Sequence, residues 1–234
     1  MNYIILNGKK STAIKGLLIQ SLPPISKPLI RTQVEEIDGR DGDIVTRLGY
    51  SAYDKEISIG LFGDYDIDSV IGYFNSEGVV TFSNEPDKYY YYQIIDQIDF
   101  ERLVRFRTAK AKLHMQPFKY SNVETSKSFD DVGELQAVTL RNNGNYIAKP
   151  IIQIEGAGLI TLSLNGMQMF AIDMQGAASI TIDTQGMNAY SDGLLMNRNV
   201  LGDYDNFALN VGVNTVEWSG DVKSISFQKY SRWI

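Results

Sequence analysis

The chain has 234 residues, 44% hydrophobic and 21% charged, which describes one large or two modest folded domains and excludes a disordered chain. Its net charge of −6 and pI near 4.9 give it no overall electrostatic footprint for nucleic acid. Cysteine is absent, which removes disulfide frameworks, thiolate nucleophiles and cysteine-based zinc sites together and fits folding in a reducing cytoplasm.

The first residues, Met1-Asn2-Tyr3-Ile4-Ile5-Leu6, hold a short apolar run without a basic leader, so no signal peptide is expected. No apolar run reaches the ~20 residues of a membrane span. Tyr3 to Leu6 followed by Asn7-Gly8 predicts a short strand closed by a hairpin turn. Gly16 to Leu22 predicts a second strand, and Pro23-Pro24 with Pro28 predicts a stiff, extended connector beyond it. Next comes Gly39-Arg40-Asp41-Gly42, a tight loop that requires positive φ twice. Asp38, Asp41 and Asp43 suggest a cation loop, but no closing bidentate carboxylate follows at calcium-loop spacing. Arg40 and Asp41 fit better as partners of each other or of a neighbouring subunit.

Lys55 to Gly63 alternates and predicts a strand. Asp64, Asp66 and Asp68 again mimic a calcium loop, yet Ser69 and Asn75 occupy the positions that need glycine and glutamate. Asp66 or Asp68 is instead expected to cap a helix whose apolar face is Ile67, Val70, Ile71 and Phe74, with Gly78 ending it. Val79 to Phe82, a turn on Asn84-Glu85-Pro86-Asp87, and the run Tyr89-Tyr90-Tyr91-Tyr92 predict a hairpin. Ile94 to Phe100 and then Leu103, Phe106, Ala109, Ala111, Leu113 and Met115 predict further strands, with Arg102, Arg105, Arg107, Lys110 and Lys112 on their solvated face. His114 is the sole histidine and has neither triad partners nor co-ligands in sequence, so it is expected to be a strand residue. The polar, patternless Ser121 to Ser128 places a domain boundary there and divides the chain into 1–121 and 122–234.

The second half is punctuated differently. Apolar and β-branched runs recur at Leu135–Leu140, Lys149–Ile154, Leu159–Leu164, Met167–Ile172, Ala178–Ile182, Phe207–Leu209, Asn214–Trp218 and Val222–Phe227. Asn142-Asn143-Gly144-Asn145, Glu155-Gly156-Ala157-Gly158, Asn165-Gly166 and Gln175-Gly176 separate some of them. Short strands with turn residues every 8–12 positions or so indicate an antiparallel sandwich or jelly roll. Gly156-Ala157-Gly158 precedes no helix and is not a dinucleotide fingerprint.

No nucleophile–base arrangement, Walker loop or zinc-protease motif occurs, so neither catalysis nor a cofactor is expected. Two carboxylates suffice for a glycosidase, and acids are plentiful, so sugar hydrolysis stays open as a rival reading. Trp218, Tyr190 and Tyr204 are the aromatics through which a sandwich of this kind could hold a glycan; the alternative for each is packing.

Taken in order, these landmarks resemble the distal tail protein (Dit) family of long-tailed phages that infect Gram-positive bacteria. The resemblance runs from Gly39-Arg40-Asp41-Gly42 through Ile57–Leu61, the capped helix, Val80-Thr81-Phe82-Ser83 and Glu85-Pro86-Asp87-Lys88-Tyr89-Tyr90 to Pro117-Phe118-Lys119-Tyr120. It continues through Asn143-Gly144, Ala148-Lys149-Pro150-Ile151-Ile152, Leu164-Asn165-Gly166 and Tyr230-Ser231-Arg232-Trp233-Ile234. It implies a mainly β protein: an N-terminal sandwich or split-barrel-like domain with one short helix that forms a hexameric ring, and a C-terminal galectin-like β-sandwich. It further implies a place at the virion tail tip after assembly in the host bacterial cytoplasm. The implied partners are the tail tube protein, the tail-associated protein and the receptor-binding or baseplate proteins, with no membrane and no nucleic-acid binding. Met167 to Met196 holds no inserted module, which implies the compact form. In an alternating strand two of Tyr89, Tyr90, Tyr91 and Tyr92 must face away from the core, so these four, with Arg40 and Asp41, are the expected subunit-interface residues.

Overall fold

The computed structural model describes residues 1–124, 126–132 and 136–234. The chain is mainly β and divides into two compact units, Met1–Lys119 with Ile234, and Tyr120–Trp233. Each has its own hydrophobic core.

Unit 1 begins with β1 (Ile4–Leu6), β2 (Lys9–Lys10) and β3 (Leu17–Ser21), continues through β4 (Ile30–Glu36), β5 (Asp43–Tyr50) and β6 (Tyr53–Leu61), and then forms α1 (Ile67–Phe74). It closes with β7 (Glu77–Phe82), β8 (Lys88–Gln93), α2 (Phe100–Phe106) and β9 (Thr108–Ser121), within which the division between units falls. Seven strands form one sheet in the order β2-β1-β7-β8-β9-β6-β3, while β4 and β5 pair only with each other. Asn7 and Gly8 both take positive φ, as a two-residue hairpin turn between twisted strands requires.

The α1 cap is the expected one: Asp66 Oδ1 accepts from the Asp68 and Ser69 amides at 3.1 and 3.4 Å. Its buried face differs by one position from the sequence reading. Val70, Tyr73 and Phe74 are buried, while Ile71 is exposed, because Tyr73 turns inward to donate to the carbonyls of Ile4 and Lys9 at 3.2 and 3.1 Å. Gly78 does not end the helix; Asn75 does, and Gly78 lies inside β7. There the Asn7 side chain donates to the Glu77 carbonyl and accepts from the Val79 amide, and a Cβ on Gly78 would meet Asn7 Oδ1 at 2.2 Å.

Two further expectations for unit 1 are corrected. A second helix, α2, replaces part of the strand run predicted after Ile94, because Asp99 caps it through the Arg102 amide at 2.8 Å and Leu103 anchors it in the core. Arg102 and Arg105 therefore sit on a helix and Arg107 on its left-handed C-cap, while Lys110 and Lys112 do lie on a strand. The segments on either side of Gly39–Gly42, for which no strand is predicted, form a two-stranded antiparallel ribbon.

Unit 2 comprises β10 (Ser126–Asp130), β11 (Ala137–Asn142), β12 (Ile151–Leu164), β13 (Met167–Asp173), β14 (Ser179–Asp183), β15 (Asn188–Ser191), β16 (Leu194–Leu195), β17 (Val200–Gly202) and β18 (Gly212–Gln228). Leu135, the expected start of the first run, lies outside the described residues. Four of the short runs merge into the two long strands. Lys149–Ile154 and Leu159–Leu164 belong to β12, and Asn214–Trp218 and Val222–Phe227 belong to β18. Phe207–Leu209 contributes only an isolated bridge from Leu209 to Ala148. The N-terminal half of β12 pairs with β14 and the C-terminal half of β18; its C-terminal half pairs with β13 and the N-terminal half of β18. The register breaks between these halves, so both strands pass from one set of partners to another, which makes the unit sandwich-like. The two strands touch at backbone distance there: a Cβ on Gly156 would meet the Asp221 carbonyl at 2.2 Å, and one on Gly220 the Leu159 carbonyl at 2.3 Å. The Asn165-Gly166 turn joins β12 to β13 as the sequence predicts.

Candidate assembly surface

The β4–β5 ribbon is an arm. Every residue from Arg31 to Gly49 is solvent-exposed, and apolar side chains are set among the polar ones. Val34 and Val45 form a directly opposed cross-strand pair, each 54% exposed, and Leu48 is 52% exposed. A strand pair with no core beneath it is marginal in water by itself, and the exposed β-branched pair makes this ribbon the candidate assembly surface. At the tip, Gly39 and Gly42 take φ of +81° and +79°, the double left-handed geometry expected of Gly39-Arg40-Asp41-Gly42. Arg40 and Asp41 stand exposed at this tip, and among the described residues no ion pair joins them to each other. Glu36 directly faces Asp43 across the arm, which places two like charges side by side near the tip.

The tyrosine hairpin is resolved by its register. Val80 pairs with Tyr90 and Gly78 with Tyr92, which points Tyr90 and Tyr92 inward with 0% and 2% exposure. Those two side chains are core and cannot face a neighbouring subunit, a correction to the expected interface set. Tyr89 and Tyr91 are half-buried on the opposite face, their rings edge-to-face at 5.8 Å. The candidate set is thereby reduced to Arg40, Asp41, Tyr89 and Tyr91, and the structure adds Val34, Val45 and Leu48. Sequence could have flagged the last three only through the weak alternation around the loop.

Behind the tyrosines lies a buried polar cluster. Glu85, in the β7–β8 turn, accepts from Lys119 Nζ at 2.9 Å and from the Tyr90 hydroxyl. Burial and the bond to Glu85 push the Tyr90 phenol far above its usual range; burial and the Glu85 charge push Tyr53 up to about 12. The Tyr53 hydroxyl has no hydrogen-bond partner among the described residues.

His114 is a strand residue on β9, directly opposite Asp54, whose Oδ1 lies 2.8 Å from its Nδ1. Among the described residues no three acidic or histidine side chains gather in a metal-holding group. Of the three aromatics weighed for a glycan, Trp218 is buried in the unit 2 core. Tyr204 packs edge-on against Phe170 with its hydroxyl buried, and Tyr190 is half-exposed on β15. Among the described residues no helix is long and apolar enough to cross a membrane.

No protein-family model matches the chain, and no curated protein sequence matches it either. Solved structures do. The crystal structure of the Dit (gp 19.1) protein of SPP1, described as a paradigm of hub adsorption apparatus in Gram-positive infecting phages, matches at a TM-score of 0.66 and 16% identity over 100% of both chains. The phage P2 baseplate in its activated conformation with calcium matches at 0.49 and 11% identity, over 100% of this chain and 98% of that one. The strontium form matches at 0.48 and 12%, over 97% and 96%. From end to end, then, this chain has the fold of a siphophage distal tail protein.

Proposed function

We propose that the chain is a structural, non-enzymatic hub of a siphophage tail tip. Unit 1 assembles copies into a ring, and unit 2 is the galectin-like sandwich attached to it. The ring joins the tail tube to the tail-associated and receptor-binding or baseplate proteins, in a virion part assembled in the host bacterial cytoplasm. The observation that carries this is the end-to-end fold likeness to SPP1 Dit, both chains being covered completely.

The arm supplies the physical means. Contacts of one surface with a different surface on the next copy close into a ring when their rotation closes. An exposed ribbon with apolar pairs and a charged tip is suited to lie against such a neighbour, and aromatic and arginine side chains are enriched in contacts of this kind. Tyr89, Tyr91 and Arg40 fit that composition, and Asp41 stands beside Arg40 at the exposed tip.

Mass measurement of the purified chain over a dilution series tests the proposal. A species at six times 26.3 kDa supports the hexameric ring. A chain that stays monomeric at high concentration, and also when mixed with the tail tube protein, would count against it.

A further inference from the structure

The arm leaves the sheet of unit 1 through Pro23-Pro24, and both carbonyls of that pair are held by side chains of the sheet and its turn. Asn84 Nδ2, in the β7–β8 turn, donates to the Pro23 carbonyl at 3.1 Å. Lys55 Nζ, on β6, donates to the Pro24 carbonyl at 2.7 Å. Farther along, the Ser51 amide bonds the Leu29 carbonyl at 2.8 Å, and the Tyr50 ring meets Phe118 edge-on at 5.8 Å. The root is therefore fixed at several points, while among the described residues the arm beyond it pairs with no strand of the sheet.

Lys55 is an unusual choice for its position. It is 3% exposed, and its ammonium group lies 5.4 to 5.9 Å from the ring centres of Tyr90, Tyr53 and Phe82. The nearby carboxylate of Glu85 is already bound by Lys119 and Tyr90, and among the described residues Lys55 forms no ion pair of its own. Burial accordingly holds its amine below the usual lysine range, with Lys119 adding to the effect and Glu85 opposing it. An apolar side chain of similar size would pack among these rings without the cost of desolvating a charge. What a lysine provides and an apolar residue cannot is a donor that reaches the Pro24 carbonyl.

We propose that Lys55, together with Asn84, is the positioning residue of the arm: by holding the two carbonyls of its Pro-Pro root it sets the direction in which β4–β5 projects. The consequence for assembly rests on the arm being the subunit contact; the positioning itself is a property of a single chain.

The absence of cysteine makes spin labelling clean. Labels at Asp41→Cys on the arm tip and Glu101→Cys on α2, diluted with unlabelled chain, report only distances within one chain. The unsubstituted sequence is expected to give one narrow distance distribution. Lys55→Met and Asn84→Ala should each broaden it, and the double variant should lose the narrow peak, with amide-exchange protection of the β1–β7 ladder unchanged. The same variants should assemble less well. A Lys55→Met chain that keeps both its protection and the narrow distribution overturns the proposal. If Lys55→Met loses protection globally, Asn84→Ala decides alone, since its side chain lies in a turn at the surface of unit 1 and its removal leaves the Lys119–Glu85 pair and Lys55 in place. Broadening in a chain whose unsubstituted form never assembles would uphold the positioning role and refute the ring.

Discussion

Replacing Val34 and Val45 together by serine separates assembly from folding. Both side chains are 54% exposed in the single chain, on the same face of the arm. Fully burying a side chain of this class is worth about 1.5–3 kcal/mol, so covering the exposed half of each contributes about 1 kcal/mol when a neighbour lies over it. The pair then accounts for about 2 kcal/mol per subunit contact, which weakens association about thirtyfold. Folding of the chain should change by no more than about 0.5 kcal/mol per site, because no core contact is removed. Sedimentation velocity across a dilution series reads the association, and a denaturant midpoint reads the folding. Two results would refute the reasoning. One is assembly at the same concentration as the unsubstituted chain, which would mean the arm is not covered; the other is a large fall in the midpoint, which would mean these valines support the monomer.

Four other outcomes follow from the geometry. Tyr89→Ser with Tyr91→Ser should weaken assembly and leave unit 1 folded, whereas Tyr90→Ser should destabilise unit 1 by about 3–5 kcal/mol, as removal of a core aromatic does; equal midpoints for the two variants would contradict the assigned register. Gly220→Ala places a Cβ against the Leu159 backbone at a φ of +99°, and should cost unit 2 about 3 kcal/mol or more by denaturant titration. Arg232 is 3% exposed and donates to the Ile147 carbonyl at 2.6 Å and to Gln185 Oε1 at 2.8 Å; Arg232→Met removes both charge-assisted bonds and should cost about 2–4 kcal/mol. In alkali, Tyr53 and Tyr90 hold their protons in the folded chain beyond the ordinary 10.0 at which the unfolded chain releases them, Tyr53 to about 12. The folded state then binds more protons, so their contribution is intact below pH 10 and is lost as pH rises from there through the folded values. A tyrosinate absorbance titration should show a late-ionising group that coincides with unfolding, and uniform ionisation near pH 10 with the fold intact would contradict it.

Local chemistry was legible in the sequence wherever neighbours along the chain decide the outcome. Asn7-Gly8 and Asn165-Gly166 turn because their own dihedral preferences match a twisted hairpin, and Asp66 caps α1 because its acceptor lies within reach of amides two and three residues on. The mainly β class followed from the same short-range signals, and the ordered set of landmarks carried the family resemblance. The seven-residue α2 escaped because so short a helix shows barely two turns of periodicity between strand-like runs. The arm escaped because a ribbon without a core beneath it has no buried face to impose alternation.

What tertiary structure alone decided is non-local. A period of two requires that two of the four tyrosines point outward, but only the pairing of β8 with Val80 and Gly78 selects Tyr89 and Tyr91. Gly156 reads as a turn residue, and only the approach of β12 to β18 makes it, with Gly220, the place where two long strands change partners. Lys55 looked like one more charge on an alternating strand. It became the holder of the arm because folding brings a proline carbonyl from a distant connector to its ammonium group, a meeting that no property of its sequence neighbours encodes.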